Sequence, residues 1–300
     1  MEYFLELFLG GLTKGSIYAL IALGYTMVYG IIELINFAHG EIYMIGAFIA
    51  LIVSTVLTIM GVHYIAVLFI AFFATILYAS AYGYTVEKIA YKPLRNAPRL
   101  SPLISAIGMS VFLQNYVKIA QSSNFIPFKS LIPEFSFLEP YSHIIGSSEL
   151  IILLSTALIM VLLTLLIKYT TIGKAMRATA QDKTMALLLG INVNNVISFT
   201  FVLGSSLAAI GGFLIASQMG QINFYIGFIA GIKAFTAAVL GGIGSIPGAV
   251  LGALLLGWTE SFATGYVSSD YEDVFAFSLL VIILIFKPSG LLGVNTTQKV

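Results

Sequence analysis

The chain has 300 residues, of which Asp, Glu, Lys and Arg make up 9 % and apolar residues 59 %, and its mean hydropathy is +1.01. An ordinary soluble domain carries roughly 25 % charged residues, so a soluble enzyme and a disordered chain are both excluded. A net charge of +1 leaves no basic excess for nucleic acid, and the absence of cysteine excludes a disulfide framework, a Cys-based zinc site and a thiol nucleophile.

The amino-terminal segment, MEYFLELFLG, carries Glu2 and Glu6 and no early Lys or Arg. It lacks the positive start of a cleavable signal peptide and is expected to remain as a span. A span needs about 20 largely apolar residues. Stretches free of Asp, Glu, Lys and Arg place one span at 15–32 and two in 42–86, divided by a turn at Gly61, Val62, His63 and Tyr64. Single spans follow at 100–117 and 150–167. A polar turn with Asn192, Asn194 and Asn195 precedes another at about 195–217. The apolar run 234–259 is interrupted by glycines between 241 and 248, and 274–286 closes the series. The expectation is an all-α polytopic membrane protein with eight or nine transmembrane helices, some of them broken or re-entrant. The segment 226–241 is open between a full crossing and a broken helix. The whole chain, 1–300, reads as a single transmembrane domain.

Orientation follows from the basic residues. Lys88, Lys92, Arg95 and Arg99 lie in 87–100, Lys168, Lys174, Arg177 and Lys183 in 168–194, and Lys287 and Lys299 in the tail. Parity puts these segments on one side, which is expected to be cytoplasmic. Glu134, Glu139, Glu149, Asp270, Glu272 and Asp273 mark the opposite side. Nine crossings place the amino terminus in the periplasm and the carboxyl terminus in the cytoplasm.

Three places are polar where the surroundings are apolar. Between Glu33 and Glu41 lie Asn36, His39 and Gly40. This stretch reads as an interfacial turn, as a helix break lining a polar path, or, with Glu33, His39 and Glu41, as a metal site, although no paired-histidine spacing supports the last. Lys233 and Glu260 each sit in an apolar run, and each is either paired with the other or snorkels to an interface. The loop 169–193 holds a short helical stretch from Gly173 to Ile191, with Gly190 as its stop. It either lies in the headgroups or docks a cytoplasmic partner. Ile35, Asn36 and Phe37 are echoed by Ile222, Asn223 and Phe224, and internal repeats are common in transporters. The candidates for a translocation path are Glu33, Asn36, His39, Glu41, Asn223 and Lys233. No P-loop, H-E-x-x-H or G-x-S-x-G motif is present. No cofactor, metal or catalytic residue is therefore expected.

Three amino-terminal stretches, Gly15 to Leu20, Gly24 to Gly30 and Ile35 to Glu41, resemble the signature of branched-chain amino acid ABC transporter permeases, in particular the H-type members. Val239 to Ala249 and Lys287 to Gly293 resemble their carboxyl-terminal signatures. The resemblance implies an inner-membrane subunit without enzymatic activity, importing Leu, Ile and Val. Its implied partners are a second related permease, two cytoplasmic ATPase subunits, a periplasmic substrate-binding protein and the lipid bilayer. It also implies that the loop contacts the ATPase through Gly173, Arg177, Ala178, Ala180, Asp182, Ala186, Gly190 and Ile191. Gln181 stands where the family often has an acidic residue. The rival readings are an ion-coupled secondary carrier or channel for a small polar solute, for which Glu33, Glu41, Lys233 and Glu260 are the coupling candidates, and an intramembrane enzyme, for which no catalytic set exists.

Overall fold

The computed structural model describes residues 1–95, 97–98, 100–141 and 144–293. Arg99 and Lys299 lie outside the described residues. The chain is all-helical apart from one short ribbon. In order the helices are α1 (Glu2–Ile32), α2 (His39–Ile59), α3 (Tyr64–Val86), α4 (Leu100–Ala120), α5 (Ser147–Tyr169), α6 (Thr171–Gln181), α7 (Lys183–Leu188), α8 (Val193–Met219), α9 (Ile226–Gly241), α10 (Ile246–Tyr266) and α11 (Glu272–Phe286). Strands β1 (Ile126–Pro127) and β2 (Gln221–Ile222) pair antiparallel.

Among the described residues seven helices are long and apolar enough to cross a bilayer: α1, α2, α3 extended to Leu94, α4, α5, α8 and α10. α9 and α11 have 16 and 15 residues. At 1.5 Å per residue they reach about 22–24 Å, short of a hydrocarbon core of about 30 Å. The expected eight or nine transmembrane helices, some of them broken or re-entrant, are thus seven long helices and two short ones among the described residues.

Two boundaries differ from those drawn on charge alone. The first helix does not begin at residue 15. It starts at Glu2 and contains Lys14, whose ammonium is held by Glu272 at 3.1 Å. Residues 87–94 are not loop. α3 continues through a π turn over Glu87–Tyr91 and a 3-10 turn over Lys92–Leu94. Pro93 has no N–H to give the carbonyl four residues back, and the helix widens just before it.

The core is built around α1 and α8, whose inner stretches are almost wholly buried. α1 lies against α10 so closely that a side chain carbon on Gly257 would stand 2.4 Å from the Gly11 carbonyl oxygen and from the Gly15 nitrogen. Small residues permit such backbone approach where lipid gives no hydrophobic drive for helix association. α3, α4, α5 and α11 turn large apolar side chains outward, among them Phe73, Phe112, Leu158 and Ile285.

The echo between 35–37 and 222–224 is a structural repeat. α1 ends in Glu33 at φ 62, and α8 ends in Gly220 at φ 67. Glu33 is the only described non-glycine residue with positive φ. Asn36 Oδ1 accepts from the Ala38 N–H at 3.1 Å, and Asn223 Oδ1 from the Tyr225 N–H at 2.9 Å. α2 then starts at His39 and α9 at Ile226. Every one of these pairs is 187 residues apart.

The loops sort into two ends. At one, the Tyr3 hydroxyl donates to the Gly265 carbonyl, the Tyr64 hydroxyl donates to the Leu131 carbonyl, and β1 pairs with β2. At the other, Arg95 donates to Asn194, Lys183 to the Ile32 carbonyl, and the tail N–H groups of Leu291 and Leu292 to the carbonyls of Leu240 and Gly241. The described basic residues used for orientation gather at the second end, as parity required.

Close packing at the α1–α10 seam makes a direct prediction. Replacing Gly257 by Ala should cost about 1–3 kcal/mol through overpacking. Gly108 in α4 has open space around it, and Gly108→Ala should be neutral or stabilise by up to about 1 kcal/mol. Thermal unfolding of the purified variants in detergent checks both signs.

Candidate functional site

The six positions expected to line a path do not form one cluster. Glu33 is exposed at the end of α1. Asn36 is buried: besides its turn, its Oδ1 accepts from the Tyr91 hydroxyl at 3.0 Å. His39 is buried against Gly24 of α1 and Gly204 of α8, with its ring 4.8 Å from that of Tyr25. Gly24 is about two turns from the end of α1. The chain therefore folds back into the bundle after Ile32 and begins α2 inside it. The break between Glu33 and Glu41 thus begins at the charged end, where Glu33 is exposed, and runs into the bundle, where Asn36 accepts from the N–H groups of Ala38 and His39.

α2 and α9 begin at the same place. A carbon on Gly40 would lie 2.3 Å from the Gly227 carbonyl oxygen and 2.7 Å from Gly231 Cα, and one on Gly227 would lie 2.8 Å from Met44 Cβ. The contacts pair 40 with 231 and 44 with 227, so the two helices run in opposite directions from a shared start. Any side chain at 40 or 227 would drive them apart.

Glu41, 1 % exposed, lies at this junction. Its Oε1 accepts from the Ser110 hydroxyl of α4 at 3.0 Å. Its Oε2 is 2.8 Å from the place a Gly227 side chain would occupy and has no hydrogen-bond partner among the described residues. Beside it is a cavity of about 220 Å³ whose wall includes Tyr25, Phe37, Ser110, Gln114, Gly227 and Phe228. The Gln114 Nε2 is likewise buried and unpartnered among the described residues. Asn223 is half-buried at the turn into α9.

Lys233 faces elsewhere. Its ammonium is 3.1 Å from Glu260, 2.9 Å from Glu272 and 2.9 Å from Asp273. The Tyr18 hydroxyl donates to Glu260 at 2.8 Å, and Thr264 donates to Glu272 at 2.9 Å. Lys233 is paired rather than snorkelling. Glu33, His39 and Glu41 do not converge as a metal set. Among the described residues the one acidic group close enough to share an ion is Glu260, Glu272 and Asp273, and the Lys233 ammonium sits among those carboxylates.

The loop 169–193 is two helices, not the one expected. Asp182 is extended at φ −157 and caps α7, its carboxylate accepting from the N–H groups of Thr184 and Met185 at 2.8 and 3.0 Å. Thr170 caps α6 through the Gly173 N–H at 3.1 Å. Gly173 is buried: a side chain there would stand 2.4 Å from the carbonyls of Leu166 and Ile167. Arg177 donates to the Ile167 carbonyl, and Gly190, at φ 80, ends the unit as expected. Ala186 is buried at 2 % exposure, which removes it from any contact surface. Ala178 is half-buried, and Ala180, Arg177, Asp182 and Gly190 are exposed. So are Met185, Leu187, Leu188 and Leu189, which sequence reasoning passed over.

Ser110 and Gln114 were also missed. Their signal was available: two polar residues four apart in an apolar helix share a face. Gly227 was findable as the repeat mate of Gly40.

The family described as branched-chain amino acid transport system, permease component, matches residues 7–284. The chain is 52 % identical over 302 aligned residues to the high-affinity branched-chain amino acid transport system permease protein BraD of Pseudomonas aeruginosa, covering 99 % of this chain and 98 % of that protein. It is 49 % identical, with the same coverages, to the LivH permease proteins of Salmonella typhimurium and of Escherichia coli K12, which carry the same description.

The Lys233 network supplies a stability test. Lys233→Met leaves Glu260 buried without its cation and should cost about 3–5 kcal/mol. Adding Glu260→Leu should recover a good part of that loss, while Asp273→Asn, at an exposed carboxylate, should stay within about 1 kcal/mol. Unfolding midpoints of the three variants in detergent decide it.

Proposed function

The chain belongs to the branched-chain amino acid permease family, and on that premise we propose that it is one of two related permease subunits of an ABC importer carrying Leu, Ile and Val across the bacterial inner membrane. The family match over nearly the whole chain carries this reading. The other parts are two cytoplasmic ATPases, which hydrolyse the ATP, and a periplasmic binding protein. The permease performs no chemistry of its own. All of 1–300 serves as one transmembrane unit, with the end holding Arg95, Lys183 and Lys287 in the cytoplasm, the amino terminus in the periplasm and the carboxyl terminus in the cytoplasm.

In this reading α6 and α7 receive the ATPase. Four exposed apolar side chains, Met185, Leu187, Leu188 and Leu189, lie on the charged end of the molecule, beside Arg177, Ala180 and Asp182. An apolar helical tip of this kind suits a groove on a partner, with the charges at its rim setting association. Gly173 and Ala186 hold the unit's own fold. Closure of the ATPases then pushes the loop, and the spans move between outward and inward access. The loop is fixed at several points: the Thr170 cap, Arg177 on the Ile167 carbonyl, and Lys183 on the Ile32 carbonyl at 3.3 Å.

Two experiments test this. Ala180→Trp and Leu188→Asp should each weaken ATPase attachment by about 10-fold or more, or uncouple ATP hydrolysis from leucine uptake in proteoliposomes, with the permease still inserted. Ala186→Trp should instead lower the yield of folded permease. Variants that keep their ATPase and transport at the original rate would leave the loop as a helix of the lipid surface. For orientation, single cysteines at Ser123 and Ser269 should react with an impermeant thiol reagent in intact spheroplasts, and one at Gln181 only after lysis. The reverse pattern inverts the topology.

A further inference from the structure

The cavity beside Glu41 has the chemistry of a binding site that the fold alone does not require. Buried polar atoms are normally paired, yet the Glu41 Oε2 and the Gln114 Nε2 both lack partners among the described residues. The Glu41 Oε2 lies against Gly227, a residue of the cavity wall, 2.8 Å from the place a side chain there would take. The Gly227 and Phe228 N–H groups are in the first turn of α9, where no carbonyl of the same helix lies within reach. Two further wall residues, Ile107 and Val111 of α4, are apolar. A set of donors at a helix start and an apolar flank thus line about 220 Å³, with one buried acceptor directly behind Gly227. At roughly 30 Å³ of liquid volume per water, that is the bulk of one small amino acid.

We propose that this cavity is an intramembrane subsite for a zwitterionic amino acid. Glu41 receives the α-ammonium, the first turn of α9 and Gln114 receive the carboxylate, and Phe37, Ile107 and Val111 hold the branched side chain. A helix N-terminus favours an anion through its free N–H groups and its dipole, and a buried carboxylate needs a cation. The two ends of the ligand satisfy both at once. The inference rests on the permease reading and adds to it a resting place for the substrate inside this subunit.

The test uses the permease–ATPase complex in nanodiscs without the binding protein, with tritiated L-leucine as probe. 4-Methylpentanoate, which is leucine without its amino group, and 3-methylbutylamine, which lacks the carboxylate, serve as competitors. Leucine should bind saturably and both competitors poorly. Glu41→Gln should weaken leucine binding by about 10- to 100-fold, the scale of a charge-assisted hydrogen bond. It should also bring leucine and 4-methylpentanoate close to parity, a change of selectivity that a structural role would not produce. Val111→Trp, at an exposed position on α4, should fill the cavity and abolish binding without touching the core. A wild-type complex that imports leucine with ATP and binding protein but binds none alone would overturn the subsite. So would a folded Glu41→Gln complex of unchanged affinity and selectivity. A wild-type complex that neither binds nor imports leucine removes the permease reading itself.

Discussion

Everything in this molecule depends on how two helix breaks are made tolerable inside an apolar bundle. A break frees N–H and C=O groups, and in hydrocarbon each unsatisfied group costs several kcal/mol. The chain solves this twice with one local device. A left-handed residue, Glu33 or Gly220, ends the incoming helix, and an asparagine three residues before the start of the next helix caps the turn, Asn36 or Asn223. The glycines at 40 and 227 then let the two new helices start in backbone contact. Without the glycines the starts separate, and without the asparagines the turns lose their donors' partner. The left-handed φ at Glu33 is unusual for a residue with a side chain, and it persists because the Glu33 N–H is tied to the Tyr29 carbonyl at 2.8 Å.

The second internal expense is charge, and it is met by clustering. Lys233 is the one cation on α9, and it is buried. It is surrounded by Glu260, Glu272 and Asp273, while Lys14 shares Glu272. Five charged groups from α1, α9, α10 and α11 thereby fix the relative positions of four helices. Short α11 gains its anchorage from this network, since its own face is mostly exposed. At the opposite end, buried Glu87 takes hydrogen bonds from Arg95 and from Ser198 at 2.9 Å, tying the end of α3 to α8.

How much of this the sequence disclosed depended on whether the signal was local. Spans separated by charge-free counting were placed well in the middle of the chain, because apolar length is a local property. The same count cut α1 short at Lys14, since it has no means of knowing that Glu272, 258 residues away, neutralises that lysine. Asp182 looked like a contact residue on one continuous helix, but an aspartate can equally cap a helix, and only its extended backbone decides between the two. Ala186 is small, a property shared by contact surfaces and packed interiors alike, and it is buried. The repeat was visible as three matching residues, and its meaning lay in glycine pairs that sequence order keeps far apart. Family membership was legible because its motifs are the turns themselves: Val239 to Ala249 and Lys287 to Gly293 dock on one another, with Gly290 against Gly242.

The two halves of the functional reading meet at the end of α1. Lys183, the first residue of α7, donates to the carbonyl of Ile32, and Glu33 follows at once as the left-handed turn into the internal segment that starts α2. A single hydrogen bond to a cation contributes roughly 1.5–3 kcal/mol, too little to move a helix by itself. The larger coupling is steric. Met176 and Thr179 of α6 and Ala186 of α7 are buried, and close-packed interiors transmit displacement because they do not compress. A push on the exposed tip at Leu187 to Leu189 therefore has to be taken up where the backbone can turn. The turn nearest to Lys183 is 33–38, whose far end carries His39 and Glu41. The proposed ATPase surface and the proposed amino-acid subsite are thus separated by one hinge, and any rotation of α2 about that hinge moves Glu41 against the first turn of α9.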